Sequence, residues 1–336
     1  MISILLPFKD AAATLTSCLS SIAAQNFSHF EVVAVDDHST DGSASLVANF
    51  PDARIRCIKN PGSGLVDALN WGLKISRFNL VARMDADDLM RPTRLNEQYL
   101  HFQRNPDLVL SATRARLFSS DPIQSGYQAY MHWQNNIISV DDIHQQIFVE
   151  SPFAHPSVMF RRDKIRDLGG YRKGLFPEDY DLWLRLAQAS MPMEKLSQVL
   201  VDWREYPHRT SRTSPCYLRE AFDQLRATYL IDDPRLRNNR PIVIWGAGRK
   251  TRKRAQHLID QGIQVTAWID IDPKKIGNIV GGARIHSPNW LRLNNKIASE
   301  KPLVLIYVAN HGAREEIAQF LESIKYRPNE DFIPIG

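Results

Sequence analysis

Leu80-Val81-Ala82-Arg83-Met84-Asp85-Ala86-Asp87-Asp88 is a short apolar run that ends in three carboxylates within four residues. The run Leu80 to Met84 reads as a strand, and Thr93 to Phe102 follow it with the periodicity of an amphipathic helix. Pro92 sits where the first turn of a helix tolerates a missing N–H. The same unit recurs upstream. Ile2 to Leu6 precede Leu15, Cys18, Leu19, Ile22 and Ala23 at i, i+3, i+4, i+7 and i+8; Phe30 to Val35 precede a helix from Ser43; Arg54 to Ile58 precede Leu65 to Leu73. Strands alternating with helices, several of them apolar on both faces, specify an α/β fold with a mostly parallel central sheet covered on both sides. Ligands of such sheets bind beyond the carboxyl ends of the strands, so the residues delivered there decide the chemistry.

The second strand delivers Asp36 and Asp37, and the strand from Leu80 delivers Asp85, Asp87 and Asp88. Carboxylates so clustered repel one another unless a cation or a hydrogen-bonding ligand compensates them, and oxygen-only ligation suits Mg²⁺ or Mn²⁺. Asp36, Asp37 and Asp41 fit turn formation and helix capping equally well. The stretch from Thr113 to Glu150 is polar and aromatic and has no clear period; loops of this length are often substrate-facing. His155 to Phe160 reads as strand-like, and Phe176-Pro177-Glu178-Asp179-Tyr180-Asp181 opens a helix carrying Leu182, Trp183, Leu186 and Ala187. Acids in a first turn stabilise any helix through its macrodipole, so spacing alone gives Glu178 and Asp179 a structural role.

The 336 residues suggest two domains, and 43% apolar with 24% charged residues excludes a disordered or fibrous chain. Cys18, Cys57 and Cys216 are too few and too scattered for a disulfide framework or a metal knuckle, which points to a reducing cytosol. Met1 to Phe8 lacks the basic front and cleavage site of a secretory signal, and no apolar run reaches the roughly 20 residues of a membrane span. The net charge of +5 divides unevenly: residues 1–233 carry 25 basic against 28 acidic residues, and residues 234–336 carry 17 against 9. A polar linker at 232–241 separates a first domain, 1–231, from a second, 242–336. The second begins again as strand (Ile242 to Trp245), glycine turn (Gly246-Ala247-Gly248) and helix, with Asp270 ending the next strand 24 residues after Gly246. That spacing approaches a ribose-binding acid, but Thr251 stands where a dinucleotide fingerprint places its third glycine.

The first 230 or so residues resemble family 2 glycosyltransferases, inverting enzymes of the GT-A fold that use nucleotide sugars. Ile2 to Asp10 resembles the family's first strand, Val33 to Gly42 (VAVDDHSTDG) its nucleotide-binding loop, Arg83 to Asp88 its DxD metal motif, and Glu178 to Trp183 (EDYDLW) its ED motif, all in the family's order. The resemblance implies that Pro7, Phe8, Asp36 and Asp37 form the base pocket and its loop, and that Asp85 approaches the ribose. It implies that Asp87, with Asp88, holds a divalent cation against the diphosphate. Glu178 belongs to the donor site, and Asp179 is the general base that removes a proton from the acceptor hydroxyl. Many relatives carry Arg-Asn where this chain has Leu69-Asn70; Arg204, His208, Arg209 and Arg212 in WREYPHRTSR are the replacement for that contact, with a solvated basic loop as the alternative. His155 is taken as structural. The second domain resembles small Rossmann-like domains, such as those of bacterial sugar acyltransferases, without implying a second activity.

The expectation is a metal-dependent, hexosyltransferase-type enzyme that moves a sugar, from UDP above other nucleotides, to a glycan or lipid-linked acceptor in cell-surface polysaccharide synthesis. A nucleotide-sugar-binding scaffold without transferase activity, or an NAD-type oxidoreductase built on the second domain, are the alternatives. No nucleic acid is expected as a partner. The expected place is the cytoplasm, with peripheral contact to the inner face of an anionic membrane through the +8 second part, whose Arg249, Lys250, Arg252, Lys253 and Arg254 cluster after the glycine turn.

Overall fold

In the computed structural model, which describes residues 1–294, 301–310 and 312–336, the alternation read from the sequence becomes two separate sheets. Strands β1 (Ile2–Phe8) and β2 (Phe30–Asp36) are buried along their whole length, as strands covered on both faces must be. Between them α1 (Ala12–Ala23) turns Leu15, Cys18, Leu19 and Ile22 inward. The pattern continues through α2 (Ser43–Ala48), β3 (Ile55–Lys59), α3 (Leu65–Ile75) and β4 (Leu80–Arg83). After it come β5 (Leu89–Met90), α4 (Arg94–Arg104), β6 (Leu110–Phe118), α5 (Ser125–Asn136), α6 (Val140–Gln146), β7 (Met159–Arg161), α7 (Arg162–Asp167), α8 (Glu178–Gln188), β8 (Met193–Arg204) and α9 (Thr210–Thr213).

The first sheet has the order β3-β2-β1-β4-β7-β6-β8-β5. Strands β1 to β4 are mutually parallel where they pair, and β6 pairs β8 in parallel. Antiparallel pairing is confined to β7, against β4 and β6, and to β5 against β8. Register sets Phe8 beside Asp36, Asp36 beside Lys59, and Leu5 beside Arg83, so the acidic segments emerge along one edge.

Three local expectations change. Helix α4 begins at Arg94, leaving Pro92 two residues before it. The stretch from Thr113 acquires regular structure as the end of β6, then α5 and α6. His155–Ser157 is a 3₁₀ turn rather than strand, and pairing starts only at Met159. Pro156 has no N–H for a ladder, and Ser157 donates to the Ala154 carbonyl at 2.8 Å instead.

The chain forms two compact units, Met1–Ile143 with Ser151–Cys216, and His144–Glu150 with Tyr217–Gly336. The second contains α10 (Arg219–Leu230), β9 (Ile242–Trp245), α11 (Arg249–Ile259), β10 (Val265–Ile269), β11 (Ile279–Val280), β12 (Ala283–His286), α12 (Asn289–Asn294), β13 (Leu303–Ile306), α13 (Ala313–Ser323) and β14 (Phe332–Pro334). Its sheet runs β11-β12-β10-β9-β13-β14, parallel except for the short β11–β12 pair. The division therefore falls earlier than residue 231. Helix α10 packs on α11, where Asp223 accepts from Arg254 Nε at 3.1 Å and Glu220 pairs with Lys253 at 2.8 Å. The 232–241 stretch is likewise anchored inside the second unit, through Arg235 to the Asn329 carbonyl and Arg240 to Asp331.

Candidate active site

Each parallel strand of the first sheet ends at a loop that is tied to its neighbour. The Asp37 N–H donates to the Phe8 carbonyl at 2.8 Å, and the Asn60 N–H to the Asp36 carbonyl at 2.8 Å. Asp36 Oδ1 accepts from the Ser39 N–H, while Asp37 Oδ1 accepts from Asn60 Nδ2 at 2.7 Å and from the Gly64 N–H at 2.9 Å. Both carboxylates are buried, and Pro7 and Phe8 lie buried in β1 beside them. Asp41 is structural, since its oxygens cap the backbone N–H groups of Ser43 and Ala12.

Beyond β4 the chain turns so that Asp85, Asp87 and Asp88 each bring a carboxylate oxygen within 4.8 Å of the others. Asp85 forms an ion pair with the buried Arg83. Asp88 is fully buried; its Oδ1 accepts from the Arg204 N–H at 2.7 Å, and its Oδ2 is buried with no hydrogen-bond partner. Burial, then Asp87 and Asp85, hold the Asp88 carboxyl well above the usual range, and burial with Asp85 raises Asp87. An orphaned oxygen on a member of an all-carboxylate donor set fits a hard divalent cation, which supplies the missing partner and offsets the repulsion together.

A basic and aromatic wall closes this cluster. Arg204 Nε donates to the Asp87 carbonyl at 2.7 Å, and the guanidinium stacks over Phe118. The Tyr206 hydroxyl lies in the field of Asp87: burial first, and then the Asp87 charge, push its pKa up. Arg209 is buried over the Trp203 ring; desolvation lowers its pKa, but Tyr127, Asp88, Asp87 and Asp85 offset that and hold it above the ordinary value. His208 and Arg212 differ. Both are exposed, and Arg212 pairs with Glu205.

The second acidic group opens α8. Asp179 is half-buried, and its Oδ1 accepts from the Tyr180 N–H at 2.7 Å. Burial first, and then the neighbouring Glu178 charge, push the Asp179 carboxyl up to about 8. That value suits a proton acceptor near neutral pH better than a simple helix-capping acid. Glu178 lies 3.6 Å from His155 Nδ1, and His155 Nε2 meets the Tyr171 hydroxyl at 2.9 Å. Burial and the Arg83 charge keep this imidazole well below its usual pKa, and so neutral. Asn70 makes two bonds to the Tyr171 backbone, at 2.8 and 2.9 Å, so its amide is committed to holding the segment before α8.

Arg83 is the residue that sequence reasoning passed over. Its guanidinium feels Asp85, Tyr171 and Glu178, and it also acts on Asp179, linking the two acidic groups. Tyr206 was missed as well; the only sequence signal for it was the basic WREYPHRTSR segment. In the second unit, Asp270 receives the Ala247 N–H at 2.9 Å, the Asp272 N–H at 2.9 Å and Lys275 at 3.1 Å, so this acid is already tied into its own loop.

Comparison with known proteins bears on the family and the fold. The profile of "Glycosyl transferase family 2" matches residues 3–169. The amylovoran biosynthesis glycosyltransferase AmsE of Erwinia amylovora is 34% identical over 201 residues, spanning 58% of this chain and 72% of that protein. The O-antigen biosynthesis glycosyltransferase WbnJ of Escherichia coli is 27% identical over 67% of this chain and 88% of its own length. A UDP-Gal:alpha-D-GlcNAc-diphosphoundecaprenol beta-1,3-galactosyltransferase of Escherichia coli is 29% identical, covering 66% and 78%. Among solved structures, residues 1–349 of S. aureus TarS in complex with UDP-GlcNAc superpose with a TM-score of 0.57 at 15% identity, over 77% of this chain and 70% of that one, a likeness of fold.

Proposed function

The chain belongs to glycosyl transferase family 2, and we propose that within this family it is an inverting, metal-dependent hexosyltransferase that uses a UDP-sugar and a lipid-linked glycan acceptor. The observation that carries the reading is the pairing of two unlike acidic sites. One is a cluster of three carboxylates with an orphaned oxygen, and the other is a single aspartate whose carboxyl is lifted to about 8. The names of relatives acting in O-antigen and diphosphoundecaprenol-linked synthesis support the acceptor class.

In this reading Asp87 and Asp88 hold Mg²⁺ or Mn²⁺, with Asp85 toward the ribose. The cation, when bound, stabilises the negative charge of the departing nucleoside diphosphate as a Lewis acid. Arg204 and Arg209, already fixed against the cluster, add positive charge on the phosphate side. Asp36 and Asp37, with Pro7 and Phe8, shape the base end of the donor site, and Glu178 supports it from α8. Asp179 takes the proton of the acceptor hydroxyl as that oxygen attacks the anomeric carbon on the face opposite the leaving group. One base and one displacement invert the centre.

The deciding experiment is steady-state transfer over a panel of nucleotide sugars, with donor binding followed by calorimetry. Asp179→Asn should retain donor affinity while losing about 10²- to 10⁴-fold in turnover, and chelation should abolish transfer by the wild type. Near-wild-type turnover of the variant would return Asp179 to a helix-capping role, and full activity after verified metal removal would overturn the metal assignment.

No described helix is long and apolar enough to cross a membrane. We place the enzyme at the cytoplasmic face of an anionic membrane, held through α11. Lys253 and Arg254 are engaged by Glu220 and Asp223, so the exposed Arg249, Lys250 and Arg252 carry this contact rather than all five basic residues. Liposome flotation tests it: replacing these three by Gln should abolish binding to anionic vesicles, and wild-type binding should fall with salt as exposed charges are screened.

A further inference from the structure

The sheet of the second unit reverses its strand order at β9. From β9 the chain runs to β10 on one side and later to β13 on the other, and the crevice outside the carboxyl ends of strands at such a reversal is where open α/β sheets take ligands. Gly246, at φ +111°, ends β9, while Tyr307 follows β13 and donates its N–H to the Trp245 carbonyl at 3.1 Å. Three arginines from three helices meet at this level: Arg226 of α10, Arg254 of α11 and Arg314 in the first turn of α13.

They are unequally satisfied. Asp223 pairs with both Arg226 and Arg254, at 3.2 and 3.1 Å. Arg254 is 8% exposed; its Nη1 donates to the Tyr307 carbonyl at 3.3 Å, and its Nη2 is buried with no hydrogen-bond partner. Arg314 makes no hydrogen bond and no ion pair among the described residues, and its Nε is buried. Burial first, and then Arg254 and Arg226, act against its charge, while Glu315 and Glu150 offset only part of this. Buried guanidinium N–H groups without acceptors, crowded by like charges, are unfavourable unless an anion completes them. The start of α11 adds to the field: its N-cap Gly248 gives no side-chain cap, its first turn holds no acid, and space is open around Gly248.

We propose that this crevice binds the phosphate or diphosphate group of a small molecule, with Arg314 and the free Nη2 of Arg254 as its donors. A dinucleotide held through its ribose is the wrong ligand, because Asp270 is already bonded to Ala247, Asp272 and Lys275. The site is independent of the transferase reading, since every residue in it lies in the second unit.

Hydrogen–deuterium exchange of the full chain locates the ligand, with inorganic pyrophosphate as the probe and a chelator present to strip cations from Asp85, Asp87 and Asp88. At ten times its dissociation constant, pyrophosphate should slow exchange about tenfold in peptides covering 246–256 and 312–317. Arg314→Gln should abolish that protection, and Arg314→Lys, which keeps the charge, should retain part of it. Since Arg314 has no partner among the described residues to lose, unchanged exchange in β9 and β13 should report that the variant's fold is intact. No slowing in the wild type, equal slowing in wild type and Arg314→Gln, or slowing confined to peptides around 83–91 would each overturn the proposal.

Discussion

Asp179 shows how one residue can be unfavourable for the fold and useful to the chemistry. Its carboxyl is raised to about 8 in the folded protein, against about 3.9 for an aspartate in an unfolded chain. Between those two values the native state binds the extra proton, so stability falls as pH rises from about 4 to about 8 and levels off above that. Asp179→Asn removes the titration. The variant should match wild type in melting temperature near pH 4 and exceed it increasingly up to pH 8, which thermal melts across that range would show. Transfer by the wild type should rise over the same interval, because the base must be deprotonated. The acids themselves were legible in sequence, as Asp85, Asp87, Asp88 and Asp179 sit in short ordered motifs. Arg83 was not, because a single arginine at a strand end says nothing of Tyr171 and Glu178, which only folding brings near it.

Helix α8 is the element that delivers Asp179, and its position rests on buried polar contacts rather than on apolar packing alone. Arg185 pairs with Asp181 one turn earlier at 2.8 Å, both nearly fully buried, and also donates to the Leu168 and Gly170 carbonyls at 3.0 and 2.7 Å. Asn70 of α3 holds the adjoining Tyr171. Arg185→Met should therefore leave a buried carboxylate without its arginine and destabilise the protein by about 3–5 kcal/mol in urea titrations. Transfer should fall more than donor binding, since the loss loosens the end of α8 that bears the base. Sequence periodicity located this helix, yet the i, i+4 spacing of Asp181 and Arg185 reads equally well as a solvated surface pair. Only the packing of α8 against Leu168 to Tyr171 makes that pair interior.

At the scale of the whole molecule, the two units are not two consecutive lengths of chain. Residues 144–150 belong with 217–336, where Arg226 Nη1 donates to the Val149 carbonyl at 2.5 Å and the Gly336 N–H to the Phe148 carbonyl at 2.9 Å. Ile147, Phe148 and Val149 are buried there. A fragment cut at residue 231, the boundary that composition suggests, would keep these apolar side chains without most of their own unit. We expect such a fragment to aggregate on size exclusion at concentrations where the full chain remains discrete, and to lose near-ultraviolet dichroism. A well-folded, monodisperse 1–231 fragment would show that the second unit is dispensable to the first.

The sequence by itself determined the α/β class, the strands that carry acidic ends, and the family, because alternation, turn chemistry and short motifs are local properties of the chain. It did not determine the true edge of the second unit, since the ion pairs of α10 with α11 join residues some 30 positions apart. Nor did it show that Asp270 is already engaged, or that the Nε of Arg314 is buried with no hydrogen-bond partner among the described residues. These follow from burial and from contacts between distant segments, and the desolvation that shifts Asp87, Asp88, Asp179 and Arg314 exists only once the tertiary structure has excluded water.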